Sequence, residues 1–386
     1  MPRVGHNVGV TDAPTPPSRP ARARAFFARA VDDAQFARPK LALTSLGLLC
    51  VMVLGGSLLP VPYVIERPGP ALDVLGEYQD EQILTIEDAE TYPTEGELMM
   101  TTVSVDGGPG YRVTPVEVIT SWFDRSKQVL PKEAVFPEGQ TREQTDLDNS
   151  AAMSGSQQGA VAVALDELGI EYEDVVQVAG VEKDGPADGT LEPGDVIVAV
   201  DGTQARDVAR VRRLLEGRTP GKDIPLTVLR DGEEKELSVP TKDVDGAAKM
   251  GIVLVDGHEF PMDVDISVGD IGGPSAGLIF SLSVYDELTP GALTGGHSIA
   301  GTGTISEDGT VGPIGGIRQK LVGAKESGAE FFRAPADNCT EVVGYEPDGL
   351  QVVAVASFDE ALTATETIAS TGDTGTLPTC EDMTSK

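Results

Sequence analysis

The sequence predicts an α+β chain with a single N-terminal transmembrane helix, then a β-rich domain, then a second domain of the α+β class. Three observations carry this prediction. An uncharged apolar run lies near the N-terminus, short apolar strands bounded by glycine turns occupy the middle, and amphipathic helices alternate with strands towards the end. A chain of 386 residues is long enough for two domains with hydrophobic cores.

The charge of the chain is strongly acidic and unevenly placed. The formal net charge is −33, and nucleic acid is excluded as a partner because such a surface repels phosphate. Residues 1–40 are the exception, since seven basic residues against three acidic ones give a net charge of +4 there. This segment is rich in Pro, Ala and Arg, and it is predicted to be a disordered cytoplasmic tail.

The apolar run near the N-terminus has the length of a membrane span. No charged residue occurs from Leu41 to Ile65, and a bilayer requires roughly 20 residues. We predict a transmembrane helix over residues 41–63. A buried core helix is one alternative, but the basic residues just before the run argue against it. A cleaved signal peptide is the closer rival, although the run is long for one and the Pro-Val-Pro sequence after it is a poor cleavage site.

The positive-inside rule keeps the basic tail in the cytoplasm and places everything after Tyr63 outside the cell membrane. Cysteine usage agrees with an exported body, because Cys50 lies in the predicted span and only Cys339 and Cys380 follow it. In an oxidising compartment we predict that Cys339 and Cys380 form a disulfide that joins the C-terminal tail to the last domain. Two free thiols are the alternative.

Residues 64–149 are predicted to form an extracytoplasmic connecting region with β-strands, one of them at 96–105. Residues 131–150 read as a loop. A helix is predicted from Ser154, as its N-cap, to Leu168. The sequence leaves open whether the connecting region packs on the following domains or only spaces them from the bilayer.

Residues 150–245 contain the pattern GPA…L.PGD.I..VDG between Gly185 and Gly202, in which an apolar strand lies between two glycine turns. This block resembles a PDZ domain of the bacterial protease type. The resemblance implies that an extended peptide binds as an added strand on a sheet edge, its terminal carboxylate held by backbone N–H groups. The carboxylate-binding loop is not identifiable from the sequence, and a small β-rich domain without a ligand is the alternative.

The last domain, residues 246–368, contains a serine among residues too small to hide it, in the run GGPSAG from Gly272 to Gly277. An apolar run follows, so Ser275 is predicted to open a helix. A serine in that position is either an N-cap or a nucleophile whose developing oxyanion meets unpaired backbone N–H groups, here those near Gly273 and Ser275.

A lysine on the apolar face of a second helix provides a base. Ile317, Leu321 and Ala324 form one stripe of the predicted helix, and Lys320 joins that stripe. Such a lysine either extends its charge to water or is desolvated, which lowers its pKa. A neutral lysine amine is a competent general base for a serine hydroxyl.

Histidine and metal chemistry are less well supported. The chain has three histidines: His6, His258 and His297. His6 lies across the predicted membrane, and the Gly-Gly-His-Ser loop around His297 shows no obvious partner for a Ser-His triad. No paired-histidine spacing occurs, so neither a metal site nor a cofactor is predicted.

Three ordered motifs resemble the proteolytic domain of the Lon family. Its nucleophile motif ends in Pro-Ser-Ala-Gly, matched by residues 274–277, and its lysine motif Pro-Ile-Gly-Gly-(Leu/Ile)-(Lys/Arg)-x-Lys is matched by residues 313–320. Between them, residues 300–303 (AGTG) resemble the family's Thr-Gly strand, whose threonine hydroxyl helps to hold the lysine.

The resemblance implies Ser275 as nucleophile, Lys320 as base and Thr302 as support. The family often has an Asp three residues before the serine, where this chain has Gly272, and the sequence leaves open whether Asp270 replaces it.

The order of anchor, PDZ domain and Lon-like domain resembles bacterial membrane-anchored PDZ–Lon-like proteases over nearly everything after residue 40, with residues 369–386 as a C-terminal tail. No ATP-binding P-loop motif occurs. The expected function is therefore ATP-independent cleavage of peptides or unfolded proteins, with the PDZ domain recruiting substrate or gating the site. Likeness to Lon also implies a homo-oligomer, a hexameric ring. An inactive PDZ adaptor on a Lon-like scaffold and an acyltransferase or other serine hydrolase with the same dyad are the rivals.

Overall fold

The structure is a computed structural model, and it describes residues 43–53, 55–56, 59–137, 139–230 and 232–385. Residues 43–53 are helical. Within the described ranges, no helix is both long enough and apolar enough to cross a membrane. The predicted tail over residues 1–40 and several residues of the predicted span (41–42, 54 and 57–58) lie outside the described residues.

Two compact units divide the chain, one of residues up to 60 with 114–116, the other of 61–113 with 117–386. The strands in the described part of the chain all belong to the second unit: β1 (Tyr63–Asp73), β2 (Glu77–Tyr78), β3 (Glu81–Gln82), β4 (Leu84–Glu87), β5 (Glu97–Asp106), β6 (Gln128–Pro131), β7 (Glu173–Val181), β8 (Val196–Val200), β9 (Thr203–Gln204), β10 (Ile224–Arg230), β11 (Glu233–Val239), β12 (Lys242–Val244), β13 (Ala247–Lys249), β14 (Ile252–Glu259), β15 (Asp263–Ile266), β16 (Ser298–Gly301), β17 (Thr304–Ile305), β18 (Val311–Gly312), β19 (Phe331–Pro335) and β20 (Gln351–Val355).

The helices that follow residue 60 are α1 (Pro115–Trp122), α2 (Lys132–Val135), α3 (Arg142–Leu168), α4 (Val208–Leu215), α5 (Gly277–Leu288), α6 (Ile317–Glu326), α7 (Cys339–Val342), α8 (Phe358–Thr371) and α9 (Cys380–Thr384). A short 3₁₀ turn, Ala336–Asn338, precedes α7.

The larger sheet joins the predicted connecting region to the end of the chain. Its order is β20-β19-β16-β5-β1-β6, with β5 parallel to β16 and antiparallel to β1. The strand predicted at 96–105 is β5, at the centre of this sheet. The connecting region therefore forms half of the sheet under the last domain and does not merely space it from a bilayer. Tyr63, the final residue of the predicted span, is the first residue of β1.

Helices cover both faces of this sheet. Consecutive residues of a strand point to opposite faces, so each strand contacts the helices on both sides. On β5, Met100 packs in the cluster that contains α5, whereas Met99 packs with Ile317 and Leu321 of α6. On β19, Phe331 and Phe332 divide between the same two clusters. Each core strand therefore holds α5 on one face and α6 on the other.

The predicted loop over residues 131–150 and the Ser154 helix cap are wrong. Helix α3 begins at Arg142, where Thr141 and Gln144 form a capping box: the Gln144 amide donates to Thr141 Oγ1 at 3.2 Å, and the Thr141 amide donates to Gln144 Oε1 at 3.1 Å. The first turns of α3 are polar and largely exposed, so no apolar stripe marks them. The Thr-x-x-Gln sequence was the available signal.

A second sheet has the order β11-β10-β8-β7-β14, with β9 beside β8, and it has a separate core of Val, Leu and Ile residues. The apolar strand predicted between the two glycine turns is β8. Strand β14 lies at an edge of this sheet, although it follows residue 245, the predicted end of the PDZ domain. Helix α3, which begins before residue 150, packs against α5 in the core of the larger sheet. The boundaries 150–245 and 246–368 stay predictions.

A disulfide joins Cys339 in α7 to Cys380 in α9, with their Cα atoms 4.8 Å apart. Both side chains are buried beside α6 residues in the core cluster under the sheet. The bond therefore fixes the C-terminal segment to the helix layer that contains α6.

We expect Cys380→Ser to lower the free energy of unfolding by about 2–4 kcal/mol, because the bond closes a loop of 41 residues in the unfolded chain. Urea denaturation without reductant measures the change. Cys50→Ser is the matched control, since Cys50 is exposed and unpaired, and it should leave stability unchanged. Equal stability of the oxidised and fully reduced wild type would contradict the expectation.

Candidate active site

Three residues predicted from separate motifs meet at one point. Lys320 Nζ lies 2.7 Å from Ser275 Oγ and 2.8 Å from Thr302 Oγ1. Ser275 precedes α5, Thr302 directly follows β16, and Lys320 lies in the first turns of α6. The parallel strands and the helices on both sides of the sheet thus bring together side chains 45 residues apart in sequence.

The entry to α6 depends on a glycine. Gly316 has a left-handed φ of 68°, and its carbonyl accepts the Lys320 amide at 3.0 Å. A Cβ at this position would lie 2.7 Å from a methyl group of Val103 on β5. Only glycine allows both the turn and this close approach, which set the direction in which the lysine enters the core.

The Thr302 hydroxyl has a fixed orientation. It donates to the Ser275 carbonyl at 2.9 Å, and that carbonyl also accepts the Gly303 amide at 2.9 Å. A hydroxyl has one proton, so towards Lys320 Nζ it acts only as an acceptor. Thr302 therefore fixes the backbone at Ser275 and accepts one N–H of the lysine at the same time.

Lys320 lies in an environment that disfavours its charge. Its residue exposure is 3%, and burial lowers its pKa from 10.5 to about 7. Its neighbours are the hydroxyl groups of Ser275 and Thr302, and neither offers a negative charge to offset desolvation. A neutral amine retains a lone pair. With one N–H donated to Thr302, that lone pair is available to accept the Ser275 proton.

The Ser275 hydroxyl is not used as a helix cap. Helix α5 begins at Gly277, its N-cap residue is Ala276, and no side chain makes a capping hydrogen bond there. The prediction that Ser275 opens the helix is thus off by one position. The half-buried Ser275 side chain is left to pair with the lysine.

The arrangement differs from the expectation for Gly273. Its N–H donates to the carbonyl of Asn149 in α3 at 3.0 Å, so it does not face an empty oxyanion position. A Cβ on Gly272 would lie 2.8 Å from the Asn149 Cβ. This approach explains why glycine stands where Lon proteins often have Asp. Asp270 is exposed and does not take part in the Ser275–Lys320–Thr302 cluster.

The two described histidines lie elsewhere. His297 pairs with Glu330, Nδ1 to Oε2 at 2.8 Å, a partner that the sequence did not indicate. His258 lies between Asp174 at 3.0 Å and Glu307 at 3.4 Å. His6 is outside the described residues. In the part of the chain that the structure describes, no group of His, Cys, Asp and Glu side chains could hold a metal ion.

A cavity that the sequence analysis did not locate lies along β14, one of the two edge strands of the second sheet. A cavity of about 820 Å³ separates β14 from α4. Apolar side chains of Met250, Ile252 and Leu254 line it, together with Arg212 and Lys249. The signal in the sequence is the apolar-Gly-apolar run of residues 250–252 at the start of β14, and this run lies beyond residue 245, the predicted end of the PDZ block.

Two family models match this chain, and each match covers part of a different sheet. Residues 158–241 match the model of the PDZ domain, and residues 261–366 match the model of the Lon protease (S16) C-terminal proteolytic domain. The chain carries a PDZ domain and a Lon-type proteolytic domain. These matches support a serine protease.

Individual relatives are similar over short segments. Lon protease 2 of Bacillus subtilis (strain 168) is 34% identical over 107 residues, which cover 26% of this chain and 19% of that protein. A probable periplasmic serine endoprotease, DegP-like, of Halomonas elongata is 36% identical over 80 residues, 20% of this chain and 17% of that protein. The chain thus spans less than a fifth of either relative. Among solved structures, the PDZ domain of an SdrC-like protein from Listeria innocua is similar, with 24% sequence identity and a TM-score of 0.20. The match covers 21% of this chain and 92% of that domain.

We expect Lys320→Met to raise the free energy of unfolding by about 1–3 kcal/mol at pH 7, because it removes a buried amine that must give up its proton on folding. The unfolded lysine holds its proton up to about pH 10.5 and the folded one only to about pH 7. Wild-type stability therefore rises with pH in that window, and the variant's advantage shrinks towards pH 10. Urea denaturation at pH 7, 8.5 and 10 measures this.

Lys183→Met, on an exposed loop, is the control and should show no pH-dependent difference from wild type. A constant stability difference between Lys320→Met and wild type from pH 7 to 10 would show that the lysine stays charged in the folded protein.

Proposed function

We propose that the protein is an ATP-independent, membrane-anchored serine endopeptidase that cleaves extracytoplasmic peptides or unfolded proteins with a Ser275–Lys320 dyad. The observation that supports it most is the 2.7 Å approach of Lys320 Nζ to Ser275 Oγ at a site where burial lowers the lysine's pKa to about 7. A base with this pKa is half neutral near physiological pH, which is where general-base catalysis is most effective.

In the proposed reaction, Ser275 Oγ attacks the carbonyl carbon of the peptide bond while its proton moves to Lys320 Nζ. The C–N bond then breaks, and the lysine ammonium gives that proton to the leaving amine. An ester between Ser275 and the acyl part remains. Lys320 next takes a proton from water as the hydroxide attacks the ester, and it returns the proton to Ser275 Oγ when the acid product leaves.

The oxyanion of each tetrahedral intermediate requires hydrogen-bond donors. We propose that the Gly273 N–H serves once it exchanges its present acceptor, the Asn149 carbonyl, for the substrate oxygen. Asn149 lies in the first half of α3, and α3 also packs against β7 and β14 of the PDZ sheet. This continuity supports a gating role for the PDZ domain, in which a peptide on β14 influences the loop before Ser275.

The cavity along β14 is the proposed peptide site, by likeness to PDZ domains, which add a peptide strand to a sheet edge. Met250, Ile252 and Leu254 suit an apolar terminal side chain. The cavity is lined by three basic side chains (Arg212, Lys242 and Lys249) and two acidic ones (Glu182 and Glu216). This excess of one positive charge, in a chain of net charge −33, suits a terminal carboxylate.

The location outside the cell membrane is likewise proposed. It is supported by the apolar run from residue 41, by the basic tail before it and by the Cys339–Cys380 disulfide. The Halomonas relative is itself named as periplasmic. Assembly into a hexameric ring is proposed from the likeness to Lon proteins alone.

We expect the full chain in lipid nanodiscs to cleave unfolded casein without ATP, with a rate that rises through about pH 7 and then levels off as Lys320 becomes neutral. Ser275→Ala and Lys320→Met should each lose nearly all activity, and Lys325→Met, in the same helix, should retain it. Cleavage that persists in Ser275→Ala would refute the assignment.

Covalent labelling tests the dyad without a protein substrate. Labelling of Ser275 by a fluorophosphonate in wild type but not in Lys320→Met would support the activating role of the lysine even if casein is a poor substrate.

We expect Arg212→Glu to weaken binding of a peptide with an apolar C-terminal residue and a free carboxylate by about tenfold or more, because it reverses a charge beside the cavity. Fluorescence anisotropy with a labelled peptide measures the affinity. Arg213→Glu is the matched control, since Arg213 lies next to Arg212 but faces Asp207 at 4.0 Å. Equal binding of the free-acid and amidated peptides would refute the carboxylate site.

The same peptide distinguishes gating from recruitment. Faster casein cleavage on addition of the peptide would indicate gating, and an unchanged rate would indicate recruitment alone.

A further inference from the structure

We propose that an exposed apolar surface, formed by Ile119, Trp122 and Phe123 and called here the α1 surface, docks onto the lipid bilayer in which the chain is anchored. This inference rests on the proposed membrane anchor. It adds a second contact with the bilayer, one that would hold the catalytic domain at the membrane face in a fixed orientation.

The α1 surface is apolar and faces solvent. Helix α1 buries Val118 and Ser121, and Val118 packs with Ile65 of β1. The exposed fractions are 50% for Ile119, 63% for Trp122 and 86% for Phe123. Adjacent exposed side chains of this size mark an interaction site more often than they occur by chance on a soluble surface.

The turn that presents Phe123 is held in place. Its amide donates to the Thr120 carbonyl at 3.3 Å. Asp124 accepts both the Ser126 hydroxyl at 2.7 Å and the Ser126 amide at 3.0 Å, and it pairs with Lys127 at 3.2 Å. Strand β6 begins at the next residue. Phe123 is therefore displayed by a closed turn.

The α1 surface lies where the chain arrives from the predicted span. Val118 packs with Ile65 and Val113 in a small cluster that also includes Val61 and Tyr63. Val61 pairs directly with Val113. Val61 and Tyr63 are the last residues of the predicted span, and Tyr63 also opens β1, so the helix that displays Trp122 packs on the residues that end that span.

The charge around the α1 surface suits an anionic lipid headgroup. Residues 111–132 contain four basic and two acidic side chains, whereas the whole chain has a net charge of −33. Arg125 and Lys127 line a cavity of about 790 Å³ together with Trp122. Tryptophan beside basic residues, with an apolar body and a polar N–H, is typical of the boundary between headgroups and acyl chains.

The test uses a property of the chain itself, because Trp122 is its only tryptophan. The full chain is reconstituted into vesicles of phosphatidylcholine and phosphatidylglycerol, with or without bromine on the upper part of the acyl chains, and Trp122 emission is recorded. We expect blue-shifted emission that brominated lipid quenches. Phe123→Asp combined with Ile119→Asp should shift the emission to longer wavelength and remove most of the quenching.

The outcomes separate this inference from the anchor on which it rests. If the chain fails to float with the vesicles, the proposed anchor is wrong and this inference falls with it. If the chain floats but brominated lipid leaves Trp122 emission unchanged, the anchor stands and the docking of the α1 surface is refuted. Blue-shifted emission in detergent that grows with protein concentration, without quenching by brominated lipid, would assign the surface to a second copy of the chain instead.

Discussion

The burial of one amine between two hydroxyl groups determines how the rest of this site is built. Desolvation makes the ammonium form of Lys320 costly, and Ser275 and Thr302 provide hydrogen bonds without a compensating charge. The amine is held towards its neutral form because the fold denies it water. The packed faces of the sheet and the tight entry to α6 keep water away from it.

The sheet fulfils this requirement by using both faces. Strand β5 holds α5 and α6 on opposite sides through the neighbouring Met99 and Met100. Strand β16 ends at Gly301, so that Thr302, the next residue, lies beside Ser275. Because β1 and β5 belong to this sheet, residues before the PDZ domain are required to complete the fold around the site. The turn after α1 also contacts the lysine helix, through Gln319 and the Ser126 carbonyl at 3.3 Å. The turn after the α1 surface is thereby joined to the helix that carries Lys320.

Local motifs allowed the site to be predicted from sequence, whereas long-range packing did not. Each of the three site residues, Ser275, Thr302 and Lys320, lies in a short sequence motif. Lys320 also stood out as a charged residue on the apolar stripe of its helix. No pattern indicated that the Asn149 carbonyl would take the Gly273 N–H, because that contact depends on how α3 packs. The guanidinium of Arg333 is fully buried beside Thr365. No motif in the sequence of its strand indicates this burial, which follows from tertiary packing alone.

The account's central claim is that Lys320 is neutral in the folded protein near physiological pH. Titration of the side-chain carbon next to Nζ by NMR, with ¹³C-labelled lysine and with Lys320→Met to assign the resonance, measures this without reference to any substrate. The account predicts a midpoint near pH 7 for that one resonance, well below the ordinary lysine value of 10.5. A midpoint near 10.5 for Lys320 would contradict the account, because the proposed dyad would then have no base.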